Sequence, residues 1–222
     1  MRIVGGEFRG RALAKPRSDA IRPTSDRTRE SVFNVIAHRY PEKLAGGRVL
    51  DLFAGTGAVG IEALSRGSSF ALFLDRNRRA VDTINANLRH CRLRDQARVE
   101  QADSFAFLHE YRGEPFDLVY IAPPQYQDLW RKALEQIDRS PRLLAPFATV
   151  IAQIHPREDA PLDLAYLQEY DRRRYGSVLL IFYASRAALE AEEAGDDWEA
   201  EETAEEIGEE AEQAEEAGPD AP

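Results

Sequence analysis

The chain has 222 residues, enough for one α/β domain with a sizeable core plus additional segments, and too few for two full domains. Its formal net charge of −10 is unevenly held: 16 of the 39 acidic residues fall in 190–222, which has no Lys or Arg, so residues 1–189 carry 29 basic against 23 acidic groups, about +6. A single cysteine, Cys91, excludes an internal disulfide and a cysteine-bound zinc or iron–sulfur site, His38, His90, His109 and His155 show no ligand spacing, and the absence of a long apolar run or signal peptide argues for a cytoplasmic chain without a membrane partner.

Taken in chain order, Arg2-Ile3-Val4 and Arg11-Ala12-Leu13 flank Gly5-Gly6 and Gly10 and predict a short N-terminal β-ribbon. The first forty residues are the most basic part of the body, with nine Lys or Arg against Glu7, Asp19, Asp26 and Glu30. A polyanionic partner fits that bias, and an ordinary Arg-rich solvated surface fits it equally. Ser25 is placed to cap a helix carrying Val32, Phe33, Val35 and Ile36 inward and running to about His38, after which Pro41 and Gly46-Gly47 break the chain.

From residue 48 strand and helix patterns alternate: strand 48–52, helix 57–66, strand 70–75, helix 77–90, strand 97–101, helix 103–111, strand 116–121, helix 126–138 and strand 147–154. This order predicts a parallel sheet with right-handed crossovers. The last two strands, 164–174 and 177–183, are joined only by Tyr175-Gly176, and so short a link demands an antiparallel hairpin. The expected fold class is α/β, with a Rossmann-like, mostly parallel sheet closed by an antiparallel hairpin, the layout of class I methyltransferases. Three parts are expected: an N-terminal extension over 1–40, the sheet domain over 41–188, and an acidic tail over 189–222 whose apolar content is little more than Trp198 and Ile207, which reads as disordered.

Chemistry concentrates where the strands end. Val49–Leu52 runs through Asp51 into the turn Phe53-Ala54-Gly55-Thr56-Gly57 and then a helix, an arrangement that presents a nucleotide-like ligand to the backbone. The string Gly55 to Gly60 satisfies G-x-G-x-x-G, the dinucleotide fingerprint. Asp51, however, would oppose a pyrophosphate and suits a cation, and the ammonium of S-adenosylmethionine (SAM) is one. Asp75 ends the second strand, where its carboxylate can accept both hydroxyls of a ribose or cap the next helix; Asp103 follows the third, where it can receive an adenine amino group or act as a cap. After the fourth strand, Ala122-Pro123-Pro124-Gln125-Tyr126 forms a rigid turn whose carbonyls no helix start consumes, suited to holding an exocyclic amine beside a stacking aromatic, though a purely structural turn would use the same residues.

With these residues in view, the chain resembles the RsmD family, bacterial methyltransferases of guanine N2 in small-subunit ribosomal RNA. The likeness lies in Arg2–Gly6 with Arg9-Gly10-Arg11, in Arg22–Glu30 with Phe33-Asn34, and in Asp51–Gly57 with Glu62–Gly67, and it covers about 1–185. It implies SAM as methyl donor, an N-terminal extension that helps hold RNA, and a guanine in ribosomal RNA already associated with protein; separately, the chain is expected to act as a monomer. On that basis the cofactor pocket comprises Thr24, Asp51, Phe53, Gly55, Gly57, Asp75 and Asp103, with Thr24 bordering the methionine end. The catalytic turn comprises Ala122, Pro123, Pro124 and Tyr126, and RNA contacts fall to Arg9, Arg11, Arg22 and Arg27.

One departure stands out. The family pattern is Asp-Pro-Pro followed by Tyr or Phe, whereas here Ala122 replaces the acid and Gln125 the aromatic. Loss of one preorganised acceptor costs roughly two to four kcal/mol of transition-state stabilisation. Gln125 and Gln153 are the amide side chains suited to compensate. The competing readings are a SAM- and RNA-binding module whose catalysis is impaired at Ala122, and a dinucleotide oxidoreductase.

Overall fold

The computed structural model describes residues 1–14, 25–39 and 44–194. Two units are distinguished, Met1–Ser185 and Arg186–Pro222, the second helical over 186–194. In the first, α1 (Asp26–Arg39) precedes β1 (Arg48–Asp51), α2 (Ala58–Ser65), β2 (Phe70–Asp75), α3 (Arg78–Cys91), β3 (Ala97–Gln101), α4 (Ser104–Glu110), β4 (Phe116–Ile121), α5 (Leu129–Asp138), β5 (Leu144–Ile154), β6 (Leu167–Tyr175) and β7 (Val178–Ser185). One seven-stranded sheet results, in the order β3-β2-β1-β4-β5-β7-β6. It is parallel from β3 to β5 and antiparallel where β7 pairs with β5 and β6, which is the expected class.

Successive side chains of a strand point to opposite faces, and the central strands are apolar on both. Val49, Phe73, Leu118 and Tyr120 pack with Phe33 of α1, Ile61 of α2 and Ile84 of α3. Leu50, Leu72, Leu74, Val119 and Ile121 pack on the other side with Leu108 of α4 and Trp130, Leu134 and Ile137 of α5. Helix α2 is buried along all eight residues, the polar Glu62 and Ser65 included, so it lies within the core rather than on its surface.

The N-terminal segment is fastened to α2. Glu62, fully buried in the helix, accepts the Val4 N–H at 2.8 Å and Arg66 Nε at 2.9 Å. Ser65 Oγ donates to the Gly5 carbonyl at 2.7 Å and accepts the Phe8 N–H at 3.0 Å, while the Ser65 carbonyl accepts Glu7 N–H at 2.7 Å. At Gly6 (φ 72°) an added Cβ would lie 1.8 Å from the Ser65 carbonyl oxygen, so only glycine permits this approach. The predicted ribbon is therefore a minimal one, a single Arg2–Ala12 bridge flanked by Ile3 N–H to Arg11 O at 3.0 Å and Leu13 N–H to Met1 O at 3.1 Å.

Element ends differ from the sequence reading where particular side chains intervene. Helix α5 starts at Leu129 rather than 126 because Tyr126 and Asp128 take left-handed φ values of 62° and 54°. Strand β5 gains residues 144–146 by pairing Leu144 with Phe116 before a register shift. Strand β6 starts at Leu167 rather than 164, since the N–H groups of Ala165, Tyr166 and Leu167 all donate to the Asp138 carboxylate, at 2.9, 2.9 and 2.8 Å. The hairpin turn is Gly176-Ser177, one residue later than expected, with Tyr175 and Val178 as the closing pair. Ser25 caps α1 as expected, its Oγ accepting the Thr28 N–H at 3.0 Å. Residues 195–222 of the acidic tail lie outside the described residues, as do Thr24 and Arg22.

Candidate active site

The chain leaves the middle of the sheet at β1, winds out to β3 and returns beside β1 as β4, which opens a crevice at the carboxyl ends of the strands. A cleft of about 970 Å³ lies there. Of the sequence-predicted residues, Asp51, Phe53, Gly55, Asp75, Asp103, Ala122, Pro123 and Pro124 line it, with Arg27 from the start of α1. Gly57 stands behind the lining, and its φ of 74° lets α2 begin directly after the turn.

All three glycine N–H groups of the literal G-x-G-x-x-G string are engaged within the protein. Gly55 N–H donates to Asp75 Oδ2 at 2.9 Å, Gly57 N–H to the Ala54 carbonyl at 2.7 Å, and Gly60 N–H to Asp51 Oδ2 at 3.3 Å. None of the three is left for a phosphate, and two bind carboxylates. Asp51 is 2% exposed and has no ion-pair partner among the described residues. Burial pushes its carboxyl up to about 7, against the lowering effect of the Gly60 N–H, and the nearby charge of Asp75 adds to the rise. A buried carboxyl in this position fits a cationic ligand and opposes an anionic one, which disfavours a dinucleotide.

Asp75 does more than end a strand. Its Oδ1 accepts the Asn77 N–H at 2.8 Å while Oδ2 holds Gly55, so one side chain fixes the glycine turn to the end of β2. The helix cap proposed for Asp75 belongs instead to Asn77, whose Oδ1 accepts the Arg79 N–H at 2.9 Å. Each Asp75 oxygen retains capacity for a ligand hydroxyl. Asp103 does cap α4, one oxygen accepting the N–H groups of Phe105 and Ala106 at 3.0 Å each, and it also lines the cleft. Phe105, missed in the sequence, meets Phe53 edge-on with ring centroids 6.3 Å apart. Its signal was an aromatic two residues after a strand-end acid.

Beyond β4 the loop separates what the sequence placed together. Ala122, Pro123, Pro124 and Gln125 line the cleft, whereas Tyr126 does not: it is 64% exposed, its N–H donates to Glu158 Oε1 at 2.7 Å, and its ring lies 5.4 Å from His155. Left-handed backbone at Tyr126 turns the chain onto the Pro156–Glu158 turn. Tyr120 and Gln153 line the same wall, the tyrosine hydroxyl donating to Gln153 Oε1 at 2.6 Å. Across the mouth stand Ser25, Arg27 and Thr28 and the hairpin residues Arg174–Val178.

The arginines also divide. Arg27 is exposed at the mouth with no ion pair among the described residues, and Arg9 is exposed on the N-terminal segment. Arg11 is committed internally: its Nη1 donates to the carbonyls of His90 and Cys91 at 3.4 and 3.2 Å, capping the end of α3, and its guanidinium lies 4.7 Å from the Phe8 ring centre. Among the described residues no group of three His, Cys, Asp or Glu is placed to hold a metal, and no helix is long and apolar enough to cross a membrane.

Comparison with known proteins agrees with this architecture. The family model described as Conserved hypothetical protein 95 matches residues 1–184. YlbH of Bacillus subtilis is 34% identical over 189 residues, covering 84% of this chain and 100% of that protein. Ribosomal RNA small subunit methyltransferase D of Escherichia coli K12 is 35% identical over 138 residues, 62% of this chain and 67% of that protein. Among solved structures, yhhF of Escherichia coli has a TM-score of 0.74 at 29% identity, covering 84% of this chain and 98% of that one. The fold is that of SAM-dependent methyltransferases. With the match running from the N-terminal segment through β7, the chain belongs to the Conserved hypothetical protein 95 family, the RsmD family that its motifs resemble.

Proposed function

We propose that this protein is a SAM-dependent methyltransferase that modifies N2 of a guanine in small-subunit ribosomal RNA. The observation that carries the reading is the turn after β1: its glycine N–H groups are engaged internally while the buried Asp51 carboxyl faces the cleft without a cation. When bound, SAM supplies an electrophilic methyl group on a positively charged sulfur. Asp51 would hold the ammonium of its methionine end, Asp75 the ribose hydroxyls and Asp103 the adenine amino group, with Phe53 and Phe105 against the adenine. Thr24 and Gly55 complete the proposed pocket, and Gly57 shapes the turn from behind it.

The target base would enter between the start of α1 and the hairpin turn. Pro123 cannot donate from its own nitrogen, and the rigid Pro-Pro turn presents carbonyls to an exocyclic amine. Pro124 stiffens that turn, and the exposed Tyr126 is placed to stack on a neighbouring nucleotide outside the cleft. Arg9, Arg22 and Arg27 would contact phosphates, and residues 1–40 act as the RNA-holding extension of the domain spanning 41–188. The substrate is proposed to be RNA within a partly assembled cytoplasmic ribosomal particle, with the enzyme working as a monomer and the 189–222 segment a solvated appendage. Purified protein should transfer labelled methyl from SAM to small subunits taken from a strain lacking the gene. Label on protein, or on no RNA, rejects the reading.

A further inference from the structure

The wall of the cleft at the ends of β4 and β5 carries no acidic side chain: its polar groups are Tyr120, Gln125, Gln127 and Gln153, set around Ala122, Pro123 and Pro124. We infer that Gln153 is the side chain that accepts a hydrogen bond from the target amine, and that Tyr120 is the residue that positions it. This assignment rests on the methyltransferase reading above.

Register locates the pair. Asp51 of β1 stands opposite Tyr120 of β4, and Tyr120 opposite Ile151 of β5. Gln153, two residues beyond Ile151, shares that face of the sheet one step nearer its carboxyl edge. The last registered pair of β4 and β5 is Ile121 with Ala152, so Gln153 comes level with Ala122, where the Pro-Pro turn leaves the sheet. The three residues thus form an oblique row: Asp51 where the cation is held, Tyr120 between, and Gln153 where the acceptor base would lie.

The chemistry requires an acceptor at that point. An exocyclic amine is a poor nucleophile because its lone pair is delocalised into the ring. Donating both N–H bonds to fixed acceptors turns the nitrogen so that the lone pair faces the methyl carbon. The Pro123 carbonyl serves as one acceptor and Gln153 Oε1 as the other. An amide oxygen has two lone-pair directions; the Tyr120 hydroxyl occupies one and leaves one for the amine. Tyr120 is fully buried, so the amide it holds keeps one orientation, whereas Gln125 and Gln127 have no side-chain hydrogen bond among the described residues and must be ordered by the substrate itself. In the transfer the N–C bond forms as the S–C bond breaks, the electron pair of that bond stays on sulfur, and the nitrogen releases one proton to water. Gln153 is neutral and takes no proton.

The test uses the full chain and small ribosomal subunits from a strain lacking the gene. Gln153→Leu keeps the packing and removes the acceptor; it should lower kcat about 100-fold while SAM affinity, read by calorimetry, stays within about twofold. Gln153→Glu, which restores an oxygen, should recover most of the rate, Tyr120→Phe should lower kcat about tenfold, and Gln125→Ala should change it less than about threefold. A binding readout is independent of turnover. With S-adenosylhomocysteine bound, wild type should prefer guanosine monophosphate over inosine monophosphate, which lacks the 2-amino group, about fivefold, and Gln153→Leu should erase the preference. Full kcat in Gln153→Leu, or loss in Gln125→Ala instead, overturns the assignment and leaves the methyltransferase reading intact. A wild-type chain that binds SAM but methylates no RNA overturns both.

Discussion

The backbone N–H of Gly55 donates to Oδ2 of Asp75 at 2.9 Å, joining the glycine turn after β1 to the end of β2 through the side chain proposed to hold the ribose. Structure and, on the proposed reading, ligand binding therefore depend on one carboxylate. Asp75→Ala should weaken SAM binding by about 1–3 kcal/mol and also lower stability by about 1–2 kcal/mol, because the N–H groups of Gly55 and Asn77 lose their acceptor. Calorimetry and thermal melting read the two effects separately. Unchanged SAM affinity in the folded variant would move the ribose away from β2.

With Asp51 as the proposed holder of the SAM ammonium, SAM binding and fold stability should respond to pH in opposite directions. Burial raises its carboxyl to about 7 in the folded chain, while an unfolded Asp titrates near 4, so the folded state binds the proton more tightly. The resulting stability is fully present below about pH 4 and is lost as pH rises through 7. Asp51→Asn should therefore raise the melting temperature of the ligand-free protein at pH 8, by the equivalent of roughly 1–4 kcal/mol, and leave it nearly unchanged at pH 4. On the proposed reading, SAM affinity needs the carboxylate. In wild type it should fall from pH 7 to pH 5 by up to about tenfold per unit, and Asp51→Asn should bind weakly with a flat profile.

Asp138 illustrates a carboxylate whose role is architectural. Its two oxygens take the N–H groups of Ala165, Tyr166 and Leu167 and so hold the entry to β6. Asp138→Ala should cost about 3 kcal/mol and lower the melting temperature by about 6–12 °C, with SAM affinity of the folded protein unaltered.

The N-terminal arginines separate into two kinds of effect. Replacing Arg9 or Arg27 with Ala should weaken RNA binding and flatten its log–log salt dependence by nearly one unit each, at constant melting temperature. Arg11→Ala should instead lower stability, because Arg11 caps α3 through the His90 and Cys91 carbonyls, and it should alter the salt slope least. Fluorescence anisotropy over a salt series distinguishes them.

Much of this was legible in the sequence because strand-length apolar runs and the acids that end them are local signals. Val49, Asp51, Asp75 and Asp103 announced both the sheet and the edge where the cleft opens. Pairing between distant residues was not legible. The hydrogen bond from Tyr120 to Gln153 spans 33 positions and depends on the register of β4 with β5. The division between Arg11 and Arg27 depends on which one finds a helix end, and the placement of Tyr126 outside the cleft depends on its left-handed backbone, a conformation rarely expected of tyrosine. Charge and residue type were visible in each case, and the partner was not.

The central claim is most directly tested by mass spectrometry of 16S ribosomal RNA from a strain lacking the gene, its parent, and the deletion strain complemented with this chain. The account predicts one guanosine bearing an N2 methyl group in the parent, its absence in the deletion strain, and its return on complementation but not with Asp51→Asn. Identical methylation in all the strains, or a lost methyl that maps to large-subunit RNA, would contradict it.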